Sequence, residues 1–413
     1  MNRPRAKTSP EGPLRLFFSV GDVSADLHAA NLIREIRKLR PDTVIEGFGG
    51  PQMRDAGCDV HYPLTTMNVM GVRNVVLHLP KVWSTQRSAL KHFEKHRPDA
   101  VVAVDFPGYN LALARWLRPR RIPVICYICP QIWAWMPGRI HKIRKRITKA
   151  LCIFPFEEKI YRDAGVPVEY VGHPLFDHLD GLRIDEDFCR RLRREAGEVL
   201  IGLLPGSRTQ EIRNLLPVMA KSARIIAREL PKVLFALPFS GEGHHRIIRR
   251  ILRKYDMPVR LLRDRTFEVM KESDFCMVTS GTATLELTHF NTPMMVMYRV
   301  DWPSYLVIHP FMRTEYIAMV NILIGREVVP DRLLWRDDAE RLARDALDII
   351  RNPDRKREVT DALRKLRVEL DHPGASRQAA ESILKTACEL RGYVPDGGSQ
   401  WPTDRAHRHG AAE

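Results

Sequence analysis

Short runs of aliphatic and aromatic residues alternate with amphipathic helical patterns along most of this chain, and they do so in two series. The first series opens at RLFFSV (15–20) and the second at VLIGLLPGS (199–207). Strands that alternate with helices predict parallel sheets with crossover helices. The pattern therefore predicts an α/β fold of two Rossmann-like, doubly wound domains facing a cleft. Ligands of such sheets lie at the carboxyl ends of the strands.

The places where the strand-like runs stop predict the domain boundaries. Residues 173–198 are charged and strand-free, and the pattern is purely helical after residue 338. Both chain ends are polar, which is typical of flexible tails. In chain order the predicted parts are a tail (1–13), a first domain (14–172), a linker (173–198), a second domain (199–350), C-terminal helices that pack back on the first domain (351–391) and a second tail (392–413).

The formal charge of +16 at pH 7 narrows the choice of partner. Such an excess favours nucleic acid, a phosphorylated substrate or an acidic membrane surface. The sequence contains no recognised nucleic-acid-binding motif, so no nucleic acid is expected. The longest uncharged stretch, 122–138, is interrupted by prolines and is too short to span a bilayer. LFFSV is too short for a signal peptide. A soluble or peripheral protein is predicted.

The seven cysteines lack the spacing of a disulfide framework, which predicts a reducing, cytoplasmic location. Cys126 and Cys129 form a C-x-x-C, but they lie in the strand-like run VICYICP. Strand positions three apart face opposite sides of a sheet. Neither a redox nor a metal role is expected of this pair.

The segment LLPGSRTQEI (203–212) has the residues of an anion site at the start of a helix. Gly206 permits a tight turn, Ser207 is positioned to cap the helix, and Arg208 offers a forked pair of donors. A helix N-terminus adds partial positive charge that attracts phosphate. Simple capping is an equally good explanation when this segment is considered alone.

A second strand-to-helix turn, VTSGTATLELTHFNTP (278–293), favours the anion site. Ser280, Gly281 and Thr282 again open a helix, and Glu286 lies one turn further in. A carboxylate there can accept hydrogen bonds from the vicinal hydroxyls of a ribose, although an exposed helix carboxylate is the alternative. Two such turns in one Rossmann-like domain predict a nucleoside diphosphate ligand.

Six motifs, in the same order along the chain, resemble the lipid-A-disaccharide synthase family of GT-B glycosyltransferases. They are YICPQIWAW (127–135), FPFE (154–157), YVGHP (170–174), LLPGSR (203–208), SGTATLE (280–286) and NILIGREVVP (321–330). The resemblance extends from about residue 14 to residue 390 and implies the GT-B fold.

The resemblance implies an inverting glycosyltransferase of lipid A biosynthesis. The family transfers 2,3-diacylglucosamine from UDP to 2,3-diacylglucosamine 1-phosphate, giving a β-1,6 disaccharide and UDP. The implied partners are a UDP-linked acylated sugar donor and a phosphorylated glycolipid acceptor. No cofactor and no metal are expected, because helix N-termini and Arg208 can stabilise the UDP leaving group and no DxD-type metal site is recognised.

The segment DAVVAVDFPGYN (99–110) is expected to supply the general base. The family pattern here resembles D-x-P-D-F-N, and its first aspartate, the family's candidate base, falls on Asp105, with Asn110 as the matching asparagine. Gly108 stands where the family has its second aspartate, so any role of that residue is missing or relocated. The alternative for Asp105 is a structural cap of the next helix.

The loop SVGDVSADLH (19–28) matches the family's segment S-A-G-E-x-S-G-D-x-H-G and is predicted to line the sugar site. Acidic and imidazole groups suit sugar hydroxyls and proton transfer. For His28, a hydrogen bond at a helix end is an equal alternative. The predicted site residues of this loop are Gly21, Asp22, Ser24, Asp26 and His28. Its three acidic or imidazole residues, Asp22, Asp26 and His28, are predicted to be catalytic together with Asp105.

The loop departs from the family pattern at three positions. Asp22 replaces a glutamate, and Ala25 and Ala29 replace glycines. Because glycine permits backbone conformations closed to alanine, the lost glycines put the shape of the loop, and with it the identity of the substrate, in question.

Two segments are predicted to face the lipid. RIHKIRKRITK (139–149), beside Trp133 and Trp135, is expected to attract the anionic cytoplasmic face of the inner membrane, with a solvated surface as the alternative. MNVMGVRNVVLHLPKVW (67–83) is apolar, and the resemblance associates it with acyl-chain and membrane contact. An ordinary buried helix is the alternative there.

Asn321 and Glu327 are predicted to help close the donor site, although Val320 stands where the family usually has proline. Two rivals to the family function stay open. One keeps the fold with other chemistry, as a UDP-sugar 2-epimerase or a transferase with another lipid acceptor. The other is a catalytically silent paralogue. The oligomeric state is open, with a homodimer as one option.

Overall fold

A computed structural model of the chain describes residues 12–66, 72–134, 136–300 and 315–391. The first of its two units takes the chain up to Asp177 and again from His372, and the second spans His178–Asp371. Most of both predicted tails lies outside the described residues. So do Trp135 and residues 67–71 of the predicted lipid-facing segment.

The first unit is built on one sheet. Its strands are β1 (Arg15–Val20), β2 (Val44–Phe48), β3 (Asp59–Tyr62), β4 (Ala100–Val104), β5 (Val124–Tyr127), β6 (Lys149–Cys152) and β7 (Val168–Tyr170). Its helices begin with α1 (Val23–Leu39), α2 (Pro51–Asp55), α3 (Val72–Lys95), α4 (Pro107–Leu117), α5 (Arg139–Arg146) and α6 (Pro155–Asp163). The strands pair in parallel in the order β3-β2-β1-β4-β5-β6-β7.

The second unit repeats the design after α7 (Pro174–Asp180), which crosses the division between the units. Its strands are β8 (Val199–Leu204), β9 (Val233–Phe239), β10 (Val259–Arg263), β11 (Phe275–Thr279), β12 (Met294–Arg299) and β13 (Asp331–Leu334). Its helices are α8 (Glu186–Ala196), α9 (Thr209–Glu229), α10 (Gly241–Leu252), α11 (Thr266–Glu272), α12 (Ala283–Phe290), α13 (Met319–Ile324), α14 (Ala339–Arg351) and α15 (Pro353–Leu370). The last helix, α16 (Ala375–Leu390), returns to the first unit.

Both sheets are wholly parallel in their described strands, so the predicted α/β fold with two doubly wound sheets is confirmed. The second sheet has the order β10-β9-β8-β11-β12-β13. Every residue of β4 and of β11 is buried, because crossover helices cover both faces of a central strand. The strand order reverses between β1 and β4 and between β8 and β11. At such a switch point the loops diverge and leave a crevice for a ligand.

The segment 173–198, predicted as a strand-free linker, is largely helical. It contains α7 and α8, and Asp185 caps α8 by accepting from the backbone N–H of Phe188 at 2.9 Å. The apolar face of α8 packs in the core of the second unit, where Leu192 joins Leu200. Most of this segment therefore belongs to the second unit and not to a connection.

The C-terminal helices, predicted to pack together on the first domain, divide between the units. Helix α15 lies in the second unit, where Lys356 Nζ is 3.3 Å from Asp274 Oδ1. Only α16 belongs to the first unit, where Asp177 accepts from the backbone N–H groups of Gly374 and Ser376. Within the described part of the chain, no helix is both long and apolar enough to cross a bilayer.

Candidate active site

Two of the predicted loops meet at the switch point of the first unit. Val20 of β1 lies opposite Val104 of β4, so the loops that follow leave the sheet side by side. Asn110 on α4 joins them. Its Nδ2 donates to the backbone oxygens of Ser19 (3.2 Å) and Asp105 (2.7 Å), and its Oδ1 accepts from Ser19 Oγ at 2.6 Å. Asn110 is buried, so this predicted substrate ligand instead holds the two loops together.

Asp105 and Phe106 have a strained backbone. Both have φ of 48°, in the left-handed region that costs a non-glycine residue about 1–2 kcal/mol. Gly21 makes room for this turn, because a Cβ there would lie 2.1 Å from the Phe106 ring. Phe106 occupies the N-cap position of α4, so Asp105 is not the N-cap residue. Asp105 is half-buried and directly follows the carboxyl end of the central strand β4. Backbone strain of this kind is concentrated at functional sites.

The departures from the family pattern do not disturb the backbone. Ala25 and Ala29 lie buried inside α1, where alanine is a better helix former than glycine. Gly108 is exposed in the first turn of α4, and a Cβ built on it meets no atom within 4 Å. The glycine that this turn requires is Gly21, which is retained. The shape of the loop therefore does not depend on the lost glycines.

Asp26, predicted to be catalytic, has a structural position. Its buried carboxylate accepts three backbone N–H bonds at the start of α2, from Gly50 at 2.9 Å, Gln52 at 3.0 Å and Met53 at 3.3 Å. A Cβ on Gly50 would lie 2.3 Å from the carboxylate, so the chain approaches Asp26 closely. These bonds favour a structural role for Asp26, because a carboxylate enclosed in this way is committed to accepting from the backbone; its predicted role in proton transfer stays a prediction.

The remaining residues of the loop divide by exposure. Asp22, at the N-cap position of α1, is half-buried, and Ser24 is exposed. His28 is buried, with its ring edge-on to that of His173 and the centroids 6.3 Å apart. Burial, together with the nearby imidazole of His28, lowers the pKa of His173 to about 3. The YVGHP motif thus keeps a neutral imidazole beside His28.

Glu157 explains two further motifs to which the sequence assigned no role. It is fully buried, and its carboxylate accepts from Trp133 Nε1 at 2.9 Å and from the backbone N–H groups of Ile153 and Phe154 at 3.3 Å. Burial raises the pKa of Glu157 to about 7, although these donors favour the ionised form. The glutamate of FPFE therefore holds the Trp133 side chain of YICPQIWAW in position. The sequence signal that could have identified Glu157 is its position directly after an apolar run.

The second unit repeats the arrangement at β8 and β11, where Leu204 lies opposite Val278. Gly206 has φ of 113°, and a Cβ there would lie 2.2 Å from Glu211 Oε2. Glu211 also accepts from the backbone N–H and the Nη1 of Arg208, both at 3.2 Å. Arg208 is the N-cap residue of α9, and Ser207 is exposed. The prediction that Ser207 caps the helix is therefore wrong by one residue.

The loop after β11 opens α12. Ser280 Oγ donates to the backbone oxygen of Ile317 at 2.7 Å, so this loop is fastened to the segment that precedes NILIGREVVP. Gly281 is exposed, Thr282 is the N-cap residue of α12, and Thr284 Oγ1 donates to the oxygen of Gly281 at 2.9 Å. Among the described residues, the exposed Gly281 leaves the N-terminus of α12 accessible to an anion.

Glu286 lies in the first turn of α12 and is half-buried. Burial raises the pKa of Glu286 to about 7. Among the described residues, none donates a hydrogen bond to its carboxylate. Such a group gains most from a ligand that brings its own donors.

Asn321, predicted to help close the donor site, is buried and fully used within the chain. Its Oδ1 accepts from the backbone N–H groups of Val328 and Val329, and its Nδ2 donates to the oxygen of Val329 at 2.9 Å. Asn321 therefore shapes the NILIGREVVP loop, and its predicted part in closing the donor site stays a prediction. Glu327 is exposed and accepts from Arg332 Nη1 at 2.6 Å, so it forms a surface ion pair.

The structure thus sorts the predicted residues unit by unit. At the β1–β4 switch point it places Gly21, Asp22, Ser24 and Asp105. At the β8–β11 switch point it places Gly206, Ser207, Arg208, Ser280, Gly281, Thr282 and Glu286. Asp26, Asn110 and Asn321 brace these loops from within.

Solved structures with a similar fold include proteins bound to UDP or to a UDP-sugar. UDP-GlcNAc 2-epimerase from Neisseria meningitidis, bound to UDP-GlcNAc, matches with a TM-score of 0.62 at 14% identity, covering 90% of this chain and 100% of that one. HepE from Anabaena, in complex with UDP and glucose, matches with a TM-score of 0.54 at 12% identity, over 90% of this chain and 100% of that one. At these identities the likeness shows the fold alone.

Sequence relatives are more specific. The lipid-A-disaccharide synthetase family profile matches residues 16–387. The lipid-A-disaccharide synthase of Syntrophus aciditrophicus is 36% identical over 88% of this chain and 95% of its own length. That of Anaeromyxobacter dehalogenans is 36% identical over 91% of this chain and 98% of its own length. The chain belongs to the lipid-A-disaccharide synthase family, which consists of glycosyltransferases of lipid A biosynthesis. The epimerase alternative is not favoured, because the epimerases share only the fold.

Proposed function

We propose that this chain transfers 2,3-diacylglucosamine from UDP to 2,3-diacylglucosamine 1-phosphate, with inversion, to form the β-1,6 lipid A disaccharide and UDP. Family membership supports the reaction class. The observation that carries the proposal is the pair of helices α9 and α12, which begin after the adjacent strands β8 and β11. Two helix N-termini at one switch point suit a diphosphate.

The second unit is proposed to bind the UDP-linked acylated donor. The backbone N–H groups at the starts of α9 and α12, with the Arg208 guanidinium, would surround the diphosphate. They would stabilise the negative charge that develops on UDP as its bond to the sugar C1 breaks. The half-buried Glu286 would accept from the ribose hydroxyls. The proposal includes no metal and no cofactor.

Asp105 is proposed as the general base. As the acceptor's 6-hydroxyl attacks the donor C1, its proton passes to the Asp105 carboxylate and the C1–O bond to UDP breaks. The strained turn and the Asn110 bridge favour one fixed position for this carboxylate, which supports its use as a base. Asp22 and Ser24 are proposed to contact the sugars, and His28 to support their loop from its buried position.

The phosphorylated glycolipid acceptor is proposed to be taken from the anionic cytoplasmic face of the inner membrane, to which the protein would bind peripherally. Helix α5 supports this proposal because Lys142, Arg144 and Lys145 are exposed while Ile143 is buried. Exposed Met136 lies three residues before the start of the helix. Cationic and apolar groups side by side are typical of surfaces that bind anionic lipid.

The testing experiment incubates purified protein with UDP-2,3-diacylglucosamine and 2,3-diacylglucosamine 1-phosphate and detects the disaccharide by mass spectrometry. Product is expected from the wild type. Protein that binds UDP but forms no product would instead favour the silent paralogue, and turnover of UDP-GlcNAc alone would favour the epimerase. A homodimer, which the sequence leaves open, stays a prediction for sedimentation analysis.

A further inference from the structure

Three side chains outside the candidate active site converge at the β3 edge of the first sheet. Glu46 projects from β2, His61 from β3 and His92 from α3. Their possible ligand atoms, one carboxylate oxygen and two imidazole nitrogens, all lie within 4.8 Å of one another. We call these three residues the edge cluster. No sequence pattern predicts it, because its members are far apart along the chain and lie on three different elements.

The separations suit a small divalent metal ion. His92 Nε2 is 2.7 Å and His61 Nε2 is 3.8 Å from Glu46 Oε2. Zinc bonds to nitrogen and oxygen of about 2.0–2.1 Å place tetrahedral ligands about 3.3 Å apart. The two observed distances straddle that value, so small side-chain rotations would bring all three atoms onto one ion. Two imidazoles and one carboxylate are an established zinc ligand set with a position left for water.

The carboxylate is already oriented for a ligand role. Arg15 Nη2 holds the other oxygen, Glu46 Oε1, at 2.9 Å, which leaves Oε2 directed at the two imidazoles. The carboxylate therefore presents one oxygen to the position between the two imidazoles where an ion would lie.

An apolar floor lies beneath the cluster. The buried ring of Phe17 is nearly parallel to that of His61, with centroids 6.3 Å apart, and it meets Phe93 edge-on at 4.7 Å. Apolar surroundings strengthen the bonds between a metal ion and its ligands. The His61 side chain is about one-third exposed, at 32%, so the cluster is also open to entry from solvent.

We propose that Glu46, His61 and His92 form a binding site for one divalent transition-metal ion, of which zinc is the best match. The ion would join β2, β3 and α3 and would fasten α3 to the edge of the sheet. This site lies outside the switch-point loops, and its function is independent of the proposed glycosyl transfer.

The test uses full-length, tag-free protein that has been stripped with a chelator. Calorimetric titration with zinc chloride is expected to show one equivalent bound, and cobalt(II) is expected to give the visible absorption of a tetrahedral site. His61→Gln and His92→Gln should each weaken zinc binding at least about tenfold. His61 lies on an edge strand and is exposed, so its replacement should leave the fold intact by circular dichroism.

The matched control is His245→Gln. His245 Nδ1 lies 3.7 Å from Glu242 Oε2, a histidine–glutamate pair on α10 outside the edge cluster. This variant should bind zinc like the wild type. The proposal is overturned if the wild type binds no stoichiometric zinc, if the edge-cluster variants bind as well as the control, or if cobalt shows thiolate charge transfer, which would place the metal on a cysteine.

Discussion

The two switch points differ in what their polar groups do. At the switch point of the first sheet, several polar side chains are buried and form hydrogen bonds with the backbone. At the switch point of the second sheet, polar groups among the described residues remain accessible to a ligand. Asp26 and Asn110 are buried and occupied by backbone partners in the first unit. In the second unit Gly281 is exposed at the start of α12, and no described residue donates to the Glu286 carboxylate. The first loop fixes the position of the turn that carries Asp105, and the second leaves Gly281 exposed at the start of α12.

The largest expected effect tests the proposed role of Asp105 as the general base. Asp105→Asn keeps the shape of the side chain but removes the proton acceptor, so kcat should fall about 10²–10⁴-fold. Disaccharide formation by mass spectrometry measures the rate, and calorimetry should show UDP affinity unchanged. An Asp105→Asn variant with full kcat would show that the first loop does not position a general base.

The next largest effect tests the proposed contact of Arg208, after β8, with the diphosphate. Arg208→Ala removes a charged donor, and hydrogen bonds to charged groups contribute about 1.5–3 kcal/mol, so the Kd for UDP should rise about 10–100-fold. Arg213→Ala is the matched control, because Arg213 is exposed on the same helix. Equal UDP affinities in the two variants would show that α9 does not hold the diphosphate through Arg208.

The Asp26→Ala variant distinguishes a structural role of Asp26 from a catalytic one. It leaves the N–H groups of Gly50, Gln52 and Met53 without their acceptor, which should lower the free energy of unfolding by about 1–3 kcal/mol. Urea denaturation measures this loss, and kcat per folded molecule should stay within a few-fold of wild type. A stable but inactive variant would restore Asp26 to the catalytic set.

The pH dependence of UDP binding sharpens the role of Glu286. Burial raises the pKa of Glu286 to about 7, and ribose hydroxyls donate more strongly to a carboxylate than to a neutral carboxyl group. UDP affinity should therefore be full above pH 7 and fall by up to about tenfold per pH unit below it. Glu286→Gln is the control, because it should lose this dependence and keep only that of UDP itself. Identical pH profiles would exclude the carboxylate from the site.

The smallest expected effect concerns Gly108. Gly108→Asp restores the family aspartate at an exposed helix start with open space around it, so stability should rise by about 0.5–1.5 kcal/mol. Gly21→Ala is the matched opposite, because its Cβ would collide with the Phe106 ring and lower stability. Thermal unfolding measures both. A destabilised Gly108→Asp variant would contradict the open space at this position.

The fold was accessible from sequence because hydrophobic periodicity and strand-to-helix turns are local signals. The site was accessible only in part. Asp26 and Asn110 match the family pattern as well as Asp105 does, yet they bind backbone groups 24 and 91 residues away, at Gly50 and Ser19. A motif identifies which polar residues belong to a site, but the partner of each is a tertiary fact. For the same reason the edge cluster gave no sequence signal.

The contact of Gly21 with the Phe106 ring has a consequence for how this enzyme can change its substrate. The loop that follows β1 packs directly against the turn that carries Asp105, because a Cβ at residue 21 would lie 2.1 Å from the ring. Under the proposed roles, substitutions at the accessible Asp22 and Ser24 would change the contacts to the sugars and leave this packing in place. An insertion after β1 would instead disturb the packing and displace Asp105.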